Sequence, residues 1–207
     1  MSFLSDTFAK TCGTPAPAVA PGLKFSAYNS EWDVIQKEVG AGWFMNRFLY
    51  LFGDGLDELI PCLDAWSFAV PPKENGERMI IGRNGYGALL VLEDGNDVDK
   101  QSVHVLDPVN VRYWTDPQIG FLNLCSNWLP RGRLPNFLDH EPYDEWLNAN
   151  GNVELELRDI LGFKVPIPLG GEMSAANLQL DDIVEYYKST GPIYREAYES
   201  LRKQPAP

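Results

Sequence analysis

Between residues 78 and 114 the chain alternates short apolar runs with turn residues. Arg78-Met79-Ile80-Ile81-Gly82, Gly87-Ala88-Leu89-Leu90-Val91-Leu92, Ser102-Val103-His104-Val105-Leu106 and Asn110-Val111-Arg112-Tyr113-Trp114 read as strands. Asn84-Gly85, Asp94-Gly95-Asn96-Asp97 and Asp107-Pro108 separate them, and each carries turn chemistry. Strands this close in sequence predict an antiparallel meander. Residues 43–52 are strongly apolar and aromatic. They predict a buried helix or strand, closed by Gly53-Asp54-Gly55.

Helical spacing brackets this region. Ser30 is placed to cap a helix with Trp32, Ile35 and Val39 on one face, stopped by Gly40-Ala41-Gly42. Residues 59–66 predict a helix that ends before Pro71-Pro72. Residues 117–128 predict another, with Ile119, Leu122 and Cys125 on its apolar side. Asp139 or His140 opens a helix carrying Tyr143, Trp146 and Leu147, stopped at Asn150-Gly151. Residues 153–161 predict a further helix. Asp181 is placed to cap residues 183–188, and Gly191-Pro192 leads into a final helix over 193–203. The fold class expected is therefore α+β: a central antiparallel meander flanked by helices, with C-terminal helices. Residues 1–22, with Pro15, Pro17 and Pro21, read as a flexible Pro-rich arm, and 23–207 as a single domain.

Charge narrows the functional classes. Seventeen Lys and Arg against 29 Asp and Glu give a net charge of −12. Such a surface repels nucleic acid and attracts a basic partner. No apolar run reaches the ~20 residues that a membrane helix needs. Residues 1–6 lack the basic start and long apolar stretch of a secretory signal. Cys12, Cys62 and Cys125 are odd in number with no CxxC spacing, so reduced thiols in a cytoplasm are the simplest account.

Candidate chemistry is sparse. Gly82-Arg83-Asn84-Gly85-Tyr86-Gly87 lacks the Lys-Ser/Thr ending of a phosphate loop and is followed by a strand, so it reads as a hairpin turn. His104 and His140 lack metal-ligand spacing, and no metal or cofactor is expected. Acidic clusters remain. Asp54, Asp57 and Glu58 form one. Glu93, Asp94, Asp97 and Asp99 form a second, on a loop between strands. Asp139, Glu141, Asp144 and Glu145 form a third, interleaved with Tyr143 and Trp146. Aromatic anchors beside charges are an interface composition. The plainer reading is a solvated helix start, where acids favour the helix dipole.

The segment Leu161-Gly162-Phe163-Lys164-Val165-Pro166-Ile167-Pro168-Leu169-Gly170-Gly171-Glu172 predicts a rigid connector: a helix stop at Gly162, an extended rod, then a Gly-Gly turn. With Asn177-Leu178 it resembles the near-C-terminal pattern of GAD-related bacterial immunity proteins, the type VI secretion DNase-immunity class. The Gly-rich approach to residues 87–92 and the Asp107-Pro108 turn also resemble that family. The resemblance implies an α+β domain that binds a cognate toxin, commonly a nuclease, with no catalysis of its own. It carries over no toxin-contacting residue. An acidic scaffold and a two-carboxylate hydrolase are the other classes the sequence admits.

Overall fold

The computed structural model describes residues 3–21, 30–72, 78–93, 102–115, 120–134 and 136–202. Among these, a six-stranded antiparallel sheet runs in sequence order: β1 (Gly42–Phe44), β2 (Leu49–Leu51), β3 (Arg78–Asn84), β4 (Leu89–Glu93), β5 (Ser102–Asp107) and β6 (Arg112–Thr115). The expected meander is present. Residues 43–52 extend it, because they fold as the β1–β2 hairpin.

Helices cover both faces of the sheet. On one face Phe44, Leu49, Leu51, Leu90, Leu92, Val103 and Val105 pack with α1 (Phe3–Cys12), α2 (Ser30–Glu38) and the turn of π-helix Leu124–Trp128 that follows α4 (Phe121–Asn123). On the other, Tyr50, Ile80, Leu89, Val91 and Leu106 pack with α3 (Ile60–Ala65) and α6 (Ile183–Arg202). A strand buried on both faces needs no polar alternation, which is why Leu89-Leu90-Val91-Leu92 is continuously apolar. Bringing β2 against β3 requires Gly82, where a Cβ would lie 2.5 Å from Leu51 and 2.8 Å from the Tyr50 carbonyl.

The structure corrects the flexible-arm expectation. Leu4, Phe8 and Cys12 recur every fourth residue and are buried on one side of α1. The Pro-rich stretch then runs beside β1: Ala16 N–H donates to the Trp43 carbonyl (2.7 Å) and Val19 N–H to that of Ala41 (3.0 Å). A Cβ at Gly42 would collide with the Pro17 carbonyl.

Further corrections fall in the last third. Residues 153–161 are not a helix. Residues 152–156 carry no regular structure, and β7 (Asp159–Phe163) pairs with β8 (Leu178–Asp182). Val153, Leu155 and Leu157 alternate with Glu154 and Glu156, a period-two pattern that suits extended chain. Gly162 therefore lies inside a strand. The helix cap is Asp182, not Asp181: the Val184 and Glu185 amides donate to Asp182 Oδ1 at 2.9 and 3.1 Å. The helix also runs through Pro192 instead of restarting there. An internal proline costs ~3 kcal/mol. Burial of Ile183, Val184, Tyr187 and Tyr194 along one face offsets it.

Candidate protein-binding groove

At the β1–β2 turn, Met45, Asn46 and Arg47 have φ of 51°, 52° and 62°. Three successive left-handed non-glycine residues each cost ~1–3 kcal/mol unless their surroundings fix them. Here α5 (Glu141–Ala149) does so. Pro142 starts this helix, and Tyr143 and Leu147, four apart, face inward. Phe48, fully buried, meets the rings of Tyr86 and Tyr143 edge-on at centroid distances of 5.2 and 5.1 Å. The Tyr143 hydroxyl donates to the Asn46 carbonyl at 3.3 Å.

Between this turn, residues 11–17 and α5 lies an open groove of about 1000 Å³. His140 Nδ1 and Asp144 Oδ2 are 2.6 Å apart on one wall. Asn46 Nδ2 approaches the other Asp144 oxygen at 3.4 Å. Arg47, which also lines the groove, donates to Glu154 at 2.6 Å, and its guanidinium lies 5.0 Å from the Trp43 ring. The Arg47 Nε–H, buried, has no partner. The guanidinium of Arg83, fully buried, lies 4.7 Å from the same Trp43 ring, with Nη2 donating to the Glu156 carbonyl at 2.7 Å. Burial pulls its pKa down to about 10.

The predicted site residues divide. Asp139, Glu141 and Glu145 are exposed, Asp144 lines the groove, and Trp146 is half-buried against the Tyr143 cluster. Tyr143 is a core residue, not a surface anchor, and burial pushes its hydroxyl up to about 12. Glu93 is not a free surface acid. Arg78 Nε and the Tyr113 hydroxyl donate to it at 2.6 and 2.7 Å. Burial lifts the Glu93 carboxyl, but these bonds and the nearby His104 outweigh it, and the net displacement is downward. Asp94, Asp97 and Asp99 lie outside the described residues. Asn46, Arg47 and Glu154, which complete the groove, carried no sequence signal beyond their proximity to apolar runs.

Ser102, His104 and Glu93 also meet across β4 and β5. Ser102 Oγ is 2.8 Å and Glu93 Oε2 3.6 Å from His104, both at Nε2. A hydroxyl–imidazole–carboxylate relay needs its partners on opposite ring nitrogens. The Gly82–Gly87 hexapeptide is a hairpin turn, in which the Tyr86 and Ala88 amides donate to Asn84 Oδ1. Among the described residues no cluster of His, Cys, Asp and Glu could hold a metal ion, and no helix is long and apolar enough to cross a membrane.

The block from Gly162 to Leu178 is structural. Its hub is Asn177, whose side chain accepts from the Val165 amide (2.9 Å) and donates to the Val165 and Glu172 carbonyls (2.8 and 3.0 Å). A Cβ at Gly171 would collide with the Val165 oxygen. Residues 167–169 form a 3₁₀ turn, ended by Gly170 at φ 90°.

The fold thus defines an α+β protein built on a helix-covered antiparallel sheet. It is similar to the crystal structure of Atu4351 from Agrobacterium tumefaciens, with a TM-score of 0.55, 15% identity, and coverage of 93% of this chain and 88% of that one. At that identity the likeness concerns the fold alone. No protein-family model and no curated protein matches this chain.

Proposed function

We propose that this chain is a cytoplasmic immunity protein of the type VI secretion class, which binds a basic antibacterial toxin, a nuclease effector, and covers its active site. One observation carries this reading. The exposed acids Asp139, Glu141 and Glu145 stand on the same short segment that brings Asp144 into an open groove rimmed by Glu154. The left-handed turn beneath them is held in place, so the acidic wall is preorganised. Preorganised charge raises the association rate with a basic partner and fixes its register. Half-buried Trp146 supplies an aromatic edge beside those charges. The resemblance of the Gly162–Leu178 block to the immunity class supports a toxin as that partner.

The test begins with co-purification of the tagged chain from its native cell. The recovered partner is then titrated against the native chain and against a variant with Asp139→Asn, Glu141→Gln, Asp144→Asn and Glu145→Gln. Weaker binding and a flatter dependence on salt are expected. A single stoichiometric partner whose affinity and salt dependence are unchanged in the variant refutes the acidic-groove reading. No stoichiometric partner at all refutes the immunity reading.

A further inference from the structure

The 3₁₀ turn at residues 167–169 and the adjacent side of α6 form a second face. Leu169 is 55% exposed and Ile193 41%. With Val109, Ile167 and Pro168 they line a groove of about 620 Å³. Ile193 also borders a second groove of about 360 Å³, lined by Phe163, Pro166, Asp181 and Tyr186. These adjoining apolar side chains, left in water, offer surface that a partner's apolar groups can cover.

Charge in the second groove says what kind of molecule. Arg158 is bound to Asp182 at 2.7 Å, Lys188 to Glu185 at 2.8 Å, and the Lys164 ammonium to the Ala176 carbonyl at 2.8 Å. Arg158 and Lys188 are thus neutralised by their own carboxylates, and Lys164, which lines the groove, is turned to a backbone carbonyl and away from Asp181. Asp181, half-buried, accepts from the Gln179 amide at 3.0 and 3.2 Å, and no cation among the described residues pairs with it. Burial raises its pKa, as befits a carboxylate without a counter-charge. Glu185 is balanced by Lys188, while Glu196, which lines the first groove, adds negative charge to the face.

We propose that this face is a second protein-docking surface, separate from the α5 groove, and that its occupant is a short amphipathic basic segment of a partner. Apolar side chains of that segment cover Leu169 and Ile193, and one lysine or arginine pairs with Asp181. Such a segment combines the apolar anchoring of a helix or strand in a groove with a charge that fixes its register. The surface stands whether or not the α5 groove binds a toxin, because the two share no lining residue.

A random 12-residue peptide display library, selected on the full chain, tests it. Recovered peptides are measured against Leu169→Ser, Ile193→Ser and Asp181→Asn, and against a Glu141→Gln/Glu145→Gln control. Leu169 and Ile193 are exposed and Asn is isosteric with Asp, so thermal melts of the variants should match the native chain. The expected peptides carry one Lys or Arg flanked by apolar residues. They lose about tenfold or more in affinity for each of the three variants and none for the control. Failure to recover peptides, peptides without a basic residue, or peptides that bind all three variants as they bind the native chain would overturn the proposal.

Discussion

Replacing Asn177 by Ala removes three hydrogen bonds at once: one from the Val165 amide and two to the Val165 and Glu172 carbonyls. A hydrogen bond contributes a net ~0.5–1.5 kcal/mol, so the sum is ~1.5–4.5 kcal/mol if nothing replaces them. None of residues 165–172 is buried and half of them are exposed, so water can reach the freed groups. The expected loss is therefore near the lower half of that range, about 2 kcal/mol. Urea unfolding followed by tryptophan fluorescence measures it. With a slope of ~2–3 kcal/mol/M, the midpoint should fall by about 0.7–1 M at an unchanged slope. Asn177→Asp sharpens the test. It keeps the acceptor for Val165 N–H but turns a charged oxygen toward two carbonyls. At neutral pH it should lose at least as much as Ala. A midpoint for Asn177→Ala within about 0.2 M of the native value would refute the view that this side chain staples the loop.

Tyr143→Ala should cost ~3–5 kcal/mol in urea unfolding, because the ring fills the core beside Phe48 and Tyr86. Tyr143→Phe should cost only ~0.5–1.5 kcal/mol and leave partner affinity unchanged, the opposite of a surface hot spot. Gly162→Ala should destabilise by ~1–3 kcal/mol, since the new Cβ falls on Asp181 Oδ2 and 2.7 Å from the Tyr186 ring. Glu93 has a lowered pKa in the folded state, so it binds protons less readily there than in the unfolded chain. Its contribution is complete above the unfolded carboxylate pKa and disappears as pH falls through the folded value. Glu93→Gln should therefore be less stable than native at neutral pH, and the gap should narrow as melts are taken from pH 6 toward pH 3.

Much of the architecture was legible in the chain. The strands from 78 to 114 follow from apolar runs cut by Asn-Gly, Asp-Gly and Asp-Pro, and the α5 helix from Tyr143 and Leu147 four residues apart above an Asn-Gly stop. Helix α1 is equally legible in Leu4, Phe8 and Cys12, but the prolines that follow predict an open arm. In 153–161 the alternation of Val153, Leu155 and Leu157 with glutamates carried the period of extended chain, while a helix was expected. Asp181 and Asp182 are adjacent and equally able to cap, so only the direction of each side chain separates them.

The acids of the α5 segment and the Asn177 block could be named from sequence because their composition is local. The groove could not. Its left-handed turn at Met45–Arg47 is dictated by Phe48 locking between Tyr86 and Tyr143, residues far apart in the chain. Tyr143 and Glu93 look like surface binding residues in one dimension, beside other acids and aromatics. The tertiary fold turns one into the core and closes the other with Arg78 from β3 and Tyr113 from β6. Local periodicity and turn chemistry determine which elements form, because they act over a few residues. Which side chains are left to meet a partner is decided by packing between elements, because burial depends on what the rest of the chain brings against each face.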